Sequence, residues 1–366
     1  MNTVDIFKNA QPSNLARIIS AITFIGNPLL YIITIFVGLI RTERVKLFIK
    51  QLETCTQRID ELNIPKNYSS LIRYQCIAGI FVIFLISSLI IDDMYWYSDV
   101  NLSFGNSLML QFYYFDNYSY IVMMVINFTF VFWIRYVKIK FGQLNAALLN
   151  MLTTTADSPQ HKRVLRMKDN WEDESSLTTI CGTYKTNENF VKLKEVKQIH
   201  LELIKCGRTI SEAYGLHILI STAISVLYIT LILHSLYGRL ISNGYESWIR
   251  EFLKSFCWIF YFIIQIFVIS NICETSMTEV MATGDILCEL YEPSTSKTFR
   301  DEIRNFTFQL IQNRLTFTAC GFYDLGHSFL YSAIGSITTY LVILIQMGDK
   351  PKVFSNDTDY NSTSIK

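Results

Sequence analysis

The chain has 366 residues, of which 51% are apolar, 14% aromatic and 17% charged, with a formal net charge of +1. A soluble domain carries about 25% charged residues; here the shortfall gathers in a few long apolar runs, which points to a polytopic membrane protein. Near-neutral charge offers no basic face for nucleic acid, and the first apolar run is too long and lacks the small-residue cleavage site of a secretory signal.

Windows of about 20 apolar residues predict six spans in chain order, at 18–40, 71–91, 118–137, 214–237, 252–272 and 323–347. The first is interrupted by Gly26-Asn27-Pro28. The loop after it carries Arg41, Arg44, Lys46, Lys50, Arg58 and Lys66, whereas the loop after the second has no base but holds Asp92, Asp93 and Asp99. The third loop is the most basic, with Lys138, Lys140, Lys162, Arg163, Arg166 and Lys168 among others. The positive-inside rule makes the first, third and fifth loops cytosolic and puts both termini of this chain outside. Glycosylation sequons at Asn101, Asn117, Asn356 and Asn361 fall on that outer side.

The cytosolic segments read as helices rather than loops. From 189 to 237 there is no proline, and Val196, Ile199, Leu203, Ile204 and Ile210 recur at helical spacing. At 1.5 Å per residue an unbroken helix there is roughly 70 Å long, so the fourth span projects well beyond the membrane. The fifth continues past Ile272 toward Leu290, and Phe299, Ile303, Phe306, Leu310 and Ile311 form an amphipathic run leading into the sixth. Striped projecting helices of this kind are expected to bundle. Residues 153–185 are polar and read as a mobile cytosolic loop.

The chemistry of an enzyme is missing. The five histidines, His161, His200, His217, His234 and His327, share no spacing with carboxylates, and there is no glycine-rich phosphate loop. The eight cysteines are scattered without metal-ligand spacing and read as buried or cytosolic thiols. No metal or cofactor is expected. A transporter would show internal repeats or paired broken helices.

The last span is unusual. Ser328, Ser332, Gly335, Thr339, Val342 and Gln346 alternate in spacings of four and three, so they share one helical face. Such a face serves a helix that lines water, or one that packs closely against another helix. The residues alone leave both readings open.

Thr339-Tyr340, five aliphatics and Gln346-Met347 resemble the signature of insect gustatory receptors, threonine-tyrosine, five hydrophobics, glutamine-phenylalanine. Met347 stands where that signature has phenylalanine. The approach from Thr318 through Ala319-Cys320-Gly321-Phe322-Tyr323, the entry at Ala213-Tyr214-Gly215-Leu216, and the run Lys140-Phe141-Gly142-Gln143-Leu144-Asn145 are similar to the same family. The resemblance implies an all-α, polytopic, seven-span chemoreceptor channel with long helices projecting into a cytosolic anchor bundle. Span 18–40 then corresponds to the family's second, so the first is expected to be absent from this sequence.

The same resemblance implies a taste receptor of the plasma membrane of gustatory receptor neurons. It would act as a non-selective cation channel opened by a small organic tastant, as a homo- or hetero-tetramer in lipid. Residues 1–290 would form the sensing region with its cytosolic extensions, 291–347 the cytosolic helix and pore-lining span, and 348–366 an extracellular tail. Gln346 and Met347 would form the gate, Ser332, Gly335, Thr339 and Val342 the pore wall, and Thr339 and Tyr340 the packing of the signature. The ligand pocket would draw on Trp96, Tyr97, Tyr118, Tyr120, Tyr228, Trp258, Tyr261 and Gln265. Aromatic faces with a few polar groups suit small organics, although an interfacial aromatic belt has the same composition. The alternatives are a G-protein-coupled or other polytopic chemoreceptor without channel activity, or a truncated, non-functional receptor. The first usually carries Asp-Arg-Tyr, which is missing here, and Asn-Pro-x-x-Tyr in its last span, whereas here that string occurs only in the first span, at Asn27-Pro28-Leu29-Leu30-Tyr31.

Overall fold

A computed structural model of the chain describes residues 14–62, 69–99, 107–154, 177–241, 248–291 and 296–347. Among the described residues there are seven helices: α1 (Asn14–Glu61), α2 (Ser69–Asp99), α3 (Ser107–Thr154), α4 (Leu177–Ile241), α5 (Trp248–Leu290), α6 (Lys297–Gln312) and α7 (His327–Met347). Five segments within them are long and apolar enough to cross a membrane: Leu71–Ser88, Tyr118–Met151, Asn189–Gly238, Ser255–Leu290 and His327–Met347. Each overlaps one of the last five expected spans. The first expected span falls within α1, and the chain before Asn14 lies outside the described residues.

Long α4 and α5 agree with the expected projections: α4 is a single helix of 65 residues and α5 runs to Leu290. Three other expectations need correction. Gly26-Asn27-Pro28 does not end a helix, because α1 runs through it for 48 residues; proline deletes one backbone donor, and the hydrogen bonds on either side carry the helix past it. The polar stretch 153–185 is not all loop, since α3 reaches Thr154 and α4 begins at Leu177; residues 155–176 lie outside the described residues. The amphipathic run of α6 does not lead unbroken into the last span. α6 stops at Asn313, whose backbone N–H and side-chain Nδ2 both donate to the Gln309 carbonyl, and Tyr323 lies in a turn before α7 begins at His327.

The chain resolves into two compact units. One comprises Asn27–Ala223 with Gln265–Tyr331, the other Ile224–Ile264 with the described parts of Met1–Gly26 and Ser332–Lys366. The larger unit holds the hydrophobic core, to which α1, α3, α4, α5 and α6 each give a stripe. Phe48, Leu52, Cys55 and Ile59 come from α1, and Ile134, Val137, Phe141, Leu144 and Leu148 from α3. Leu193, Val196, Ile199 and Leu203 come from α4, Leu287 and Leu290 from α5, and Phe299, Ile303 and Phe306 from α6. All recur at three and four, so the helical period alone brings them to one side. Outside the membrane-spanning segments, each buried Leu, Ile, Val or Phe of this kind contributes about 1.5–3 kcal/mol.

Polar ties fix the register of the stripes. Asn145 Nδ2 donates to the Glu279 carbonyl and to its Oε1, both at 2.9 Å, while Thr283 Oγ1 donates to Asn145 Oδ1 at 2.7 Å. Lys197 pairs with Glu302 at 2.5 Å, and Gln309 Nε2 donates to the Lys197 carbonyl at 3.0 Å. Thus α3 is tied to α5, and α4 to α6.

Burial separates the span candidates. Within an 18-residue apolar stretch of each candidate, 44% of the residues are buried in α3, α4 and α5, but only 6% in α2 and α7. The apolar surfaces of α2 and α7 therefore need cover from lipid or from another chain.

Candidate functional site: striped last helix, polar network and the elbow between them

α7 is 21 residues long and buries only Ala333. Ser328, Ser332, Gly335, Thr339, Val342 and Gln346, the whole polar stripe, are exposed, and so are Tyr331, Ile334, Tyr340, Ile343 and Met347. Thr339 Oγ1 donates to the Gly335 carbonyl at 2.8 Å and Ser336 Oγ to the Ser332 carbonyl at 2.9 Å. Back-bonding of this kind satisfies the hydroxyl proton inside the helix and leaves oxygen lone pairs outward. A cation passing such a face meets acceptors. Thr339 and Tyr340 are exposed and bury against none of the described residues.

The ligand candidates divide. In the smaller unit Tyr228 stacks on Phe262 with ring centroids 5.7 Å apart, Trp258 stacks on the same ring at 5.8 Å, and Tyr261 tilts against it at 5.0 Å. Tyr261 is buried, and Tyr228 and Trp258 are half-buried. These three cluster between α4 and α5 rather than facing outward as a belt residue does. Tyr118 is exposed and sits edge-on to Tyr31 at 5.6 Å, and Tyr120 is half-buried. Trp96 and Tyr97 lie on a stretch of α2 whose side chains are outside the described residues. Of the sequons, Asn117 falls inside α3, and Asn101, Asn356 and Asn361 lie outside the described residues.

Gln265 belongs to a network in the larger unit. Its Nε2 donates to Ser221 Oγ at 2.6 Å, and Asn127 Nδ2 donates to the same oxygen at 2.7 Å. All three side chains are buried, and so are Ser119, His217 and Ser270 on the same three helices. Asn127 Oδ1 and His217 Nε2 have no protein partner among the described residues. An unmet acceptor buried between apolar helices is costly, and a ligand hydroxyl or a water could satisfy it. Asn127 and Ser221 were not singled out from the sequence. The available signal was an asparagine inside the apolar run Met123–Phe130, and His217, Ser221 and Ser225 recurring at four. A shallow groove of about 380 Å³ lined by Leu287, Cys288, Tyr291, Ile303, Arg304 and Thr307 touches none of the candidates.

Between α6 and α7 the chain makes an elbow. Leu315, Phe317 and Ala319 alternate inward and are buried, as an extended segment with one covered face requires. An antiparallel bridge pairs Thr318 with Asp324, closing a turn in which Cys320 and Gly321 have φ of 54° and 79°. The elbow lies on α4. Ser211 Oγ accepts from the Thr318 N–H at 3.1 Å. A Cβ on Gly215 would come within 2.9 Å of the Cys320 nitrogen, so only glycine admits the turn this close.

The chain matches the 7tm Chemosensory receptor family model over residues 3–350. It is 27% identical over 180 residues to the Drosophila melanogaster gustatory receptor for sugar taste 43a, covering 47% of this chain and 41% of that receptor. Against the putative gustatory receptor 28b of the same fly it is 22% identical over 346 residues, covering 91% of this chain and 69% of the relative. Alignment with the gustatory and pheromone receptor 32a, also from the fly, is 28% identical and reaches 32% of that protein. The chain thus spans well under half the length of several curated relatives it matches. Among solved structures, the insect olfactory receptor OR5 from Machilis hrabei in complex with eugenol superposes with a TM-score of 0.55 at 13% identity, covering 93% of this chain and 92% of that one. That likeness establishes a shared helical fold. With the family model matched across nearly its whole length, the chain belongs to the 7tm chemosensory receptor family, and its curated relatives are insect gustatory receptors.

Proposed function

We propose that the chain is a subunit of a ligand-gated, non-selective cation channel, opened by a small organic tastant in the plasma membrane of gustatory neurons. Four copies would gather α7 around a central pore, as homo- or hetero-tetramer, because one striped helix cannot enclose a channel. The supporting observation is that every member of the stripe from Ser328 to Gln346 is exposed on a span that buries only Ala333. Sidedness follows the basic loops: the ends of α1, α3, α4 and α5 that pack with α6 would lie in the cytosol as the anchor, and Gln346 and Met347 near the outer surface.

In this reading Met347 and its aliphatic neighbours close the pore by dewetting, and opening presents Gln346 and the stripe acceptors to partly hydrated cations. The tastant would lie against the Tyr228, Trp258 and Tyr261 cluster or reach the Gln265 network. Relatives named for sugar and for bitter taste both match, and an unmet acceptor at Asn127 favours a ligand with a hydroxyl or amine donor. Gln346→Ala is the direct test. In oocytes challenged with a panel of sugars and plant alkaloids, it should alter cation selectivity or gating of the evoked current at unchanged surface expression. Unaltered selectivity and gating would remove α7 from the pore.

A further inference from the structure

The elbow does more than join two helices. Tyr323, at its end, hydrogen-bonds through its hydroxyl to Thr222 of α4, and its ring stacks on Phe329 in the first turn of α7, with centroids 4.6 Å apart and planes 6° from parallel. One side chain therefore grips α4 at its tip and α7 along its face. The donor can be assigned. Thr222 Oγ1 lies 2.7 Å from the Ile218 carbonyl and 3.1 Å from that of Leu219, so its single proton is committed to its own helix and the Tyr323 hydroxyl donates.

Thr222 adjoins Ser221, the oxygen on which Asn127 of α3 and Gln265 of α5 converge. Consecutive helical residues point about 100° apart, which aims Ser221 at the network and Thr222 at the elbow from the same turn. Both side chains are fully buried, and Tyr323 is half-buried. A shift of α4 at this turn moves both bonds together. α5 holds the other side: Glu274 Oε2 accepts from the His327 N–H at 3.3 Å, a carboxylate on an open helix N-terminus. A Cβ on Gly326 would fall 2.6 Å from that oxygen.

We propose that Tyr323 is a positioning residue that couples the Asn127–Ser221–Gln265 network to the first turn of α7. Its functional meaning rests on the channel reading above. Displacing Ser221 turns α4 slightly, pulls the Tyr323 hydroxyl, and through the Phe329 stack reorients the base of α7, while Glu274 keeps the helix start on α5.

Hydrogen exchange on the purified full chain in nanodiscs, read by mass spectrometry on peptides covering 317–331, tests the coupling without any agonist. Tyr323→Phe should speed exchange there by about tenfold, the loss of one hydrogen bond, with α6 peptides unchanged. Ser221→Ala should speed the same peptides, and the double variant should be no faster than Tyr323→Phe alone. Independent, multiplying effects, or a Ser221→Ala variant that leaves 317–331 as in the wild type, overturn the proposal. If Tyr323→Phe does not fold, Thr222→Val removes the same bond from the other helix and is read in the same cycle. In planar bilayers Tyr323→Phe should shift open probability and leave the cation reversal potential alone. A wild-type chain that passes no current would sink the channel reading, and the exchange cycle would still decide the coupling.

Discussion

At the scale of single residues, the buried polar groups decide the most. Ser221 Oγ accepts from Asn127 and Gln265 at 2.7 and 2.6 Å. Ser221→Ala leaves two buried donors without that acceptor, and each orphaned donor costs about 1–3 kcal/mol. Gln265→Leu removes one donor and fills its space with hydrocarbon, so it should cost less. Thermal unfolding in detergent should rank Ser221→Ala below Gln265→Leu, and the reverse order would mean that the two amides have other acceptors. Gln265 was legible in the sequence because glutamine in the middle of an apolar span is conspicuous. Ser221 was not, since serine sits in a membrane helix at little cost by bonding back to its own backbone. Its role depends on which residues two other helices bring opposite it.

At the scale of elements, the α6–α7 elbow and its bed on α4 are the least ordinary feature. Gly215 admits the Cys320 backbone, and Ser211 accepts from the Thr318 N–H. Gly215→Val places two methyl groups and a Cβ against backbone that cannot rotate away, an overpacking cost of about 1–3 kcal/mol. The checkable outcome is a lower melting temperature with faster exchange at 315–323, while the α2 peptides stay as they were. A core position behaves differently: Phe306 is fully buried in α6, and Phe306→Ala should cost about 3–5 kcal/mol through the cavity it leaves. That value should appear as a cooperative loss of the whole core rather than a local loosening. The stripes of α3, α4, α5 and α6 were legible because helical periodicity is local. The stop between α6 and α7 was legible only in part: the small-Gly-Phe turn Cys320-Gly321-Phe322 precedes the last span, but no proline marks where α6 ends. It is set by Asn313 capping the Gln309 carbonyl and by the burial of Leu315, Phe317 and Ala319.

At the scale of the whole molecule, the question is what covers α7. Replacing Ser332, Gly335 and Thr339 together by leucine separates the two readings of the stripe. A pore lining loses cation flux through the dry, narrowed wall while single-molecule mass in nanodiscs still reports four copies held by the anchor helices. A packing seam instead loses the four-copy mass. The sequence by itself determined the class, five of the six expected spans, the long helices and the stripe, because apolar length, helical period and the Thr339–Met347 signature are properties of neighbouring residues. Only the tertiary structure decided that the stripe is exposed throughout, that Tyr228, Trp258 and Tyr261 close on Phe262, and that Cys55 and Cys206 bring their sulfurs to 4.0 Å across 151 residues. It alone placed Tyr323 on Thr222. These are contacts between helices far apart in the chain, set by the rotation and register of packed surfaces, and no local pattern of residues encodes them.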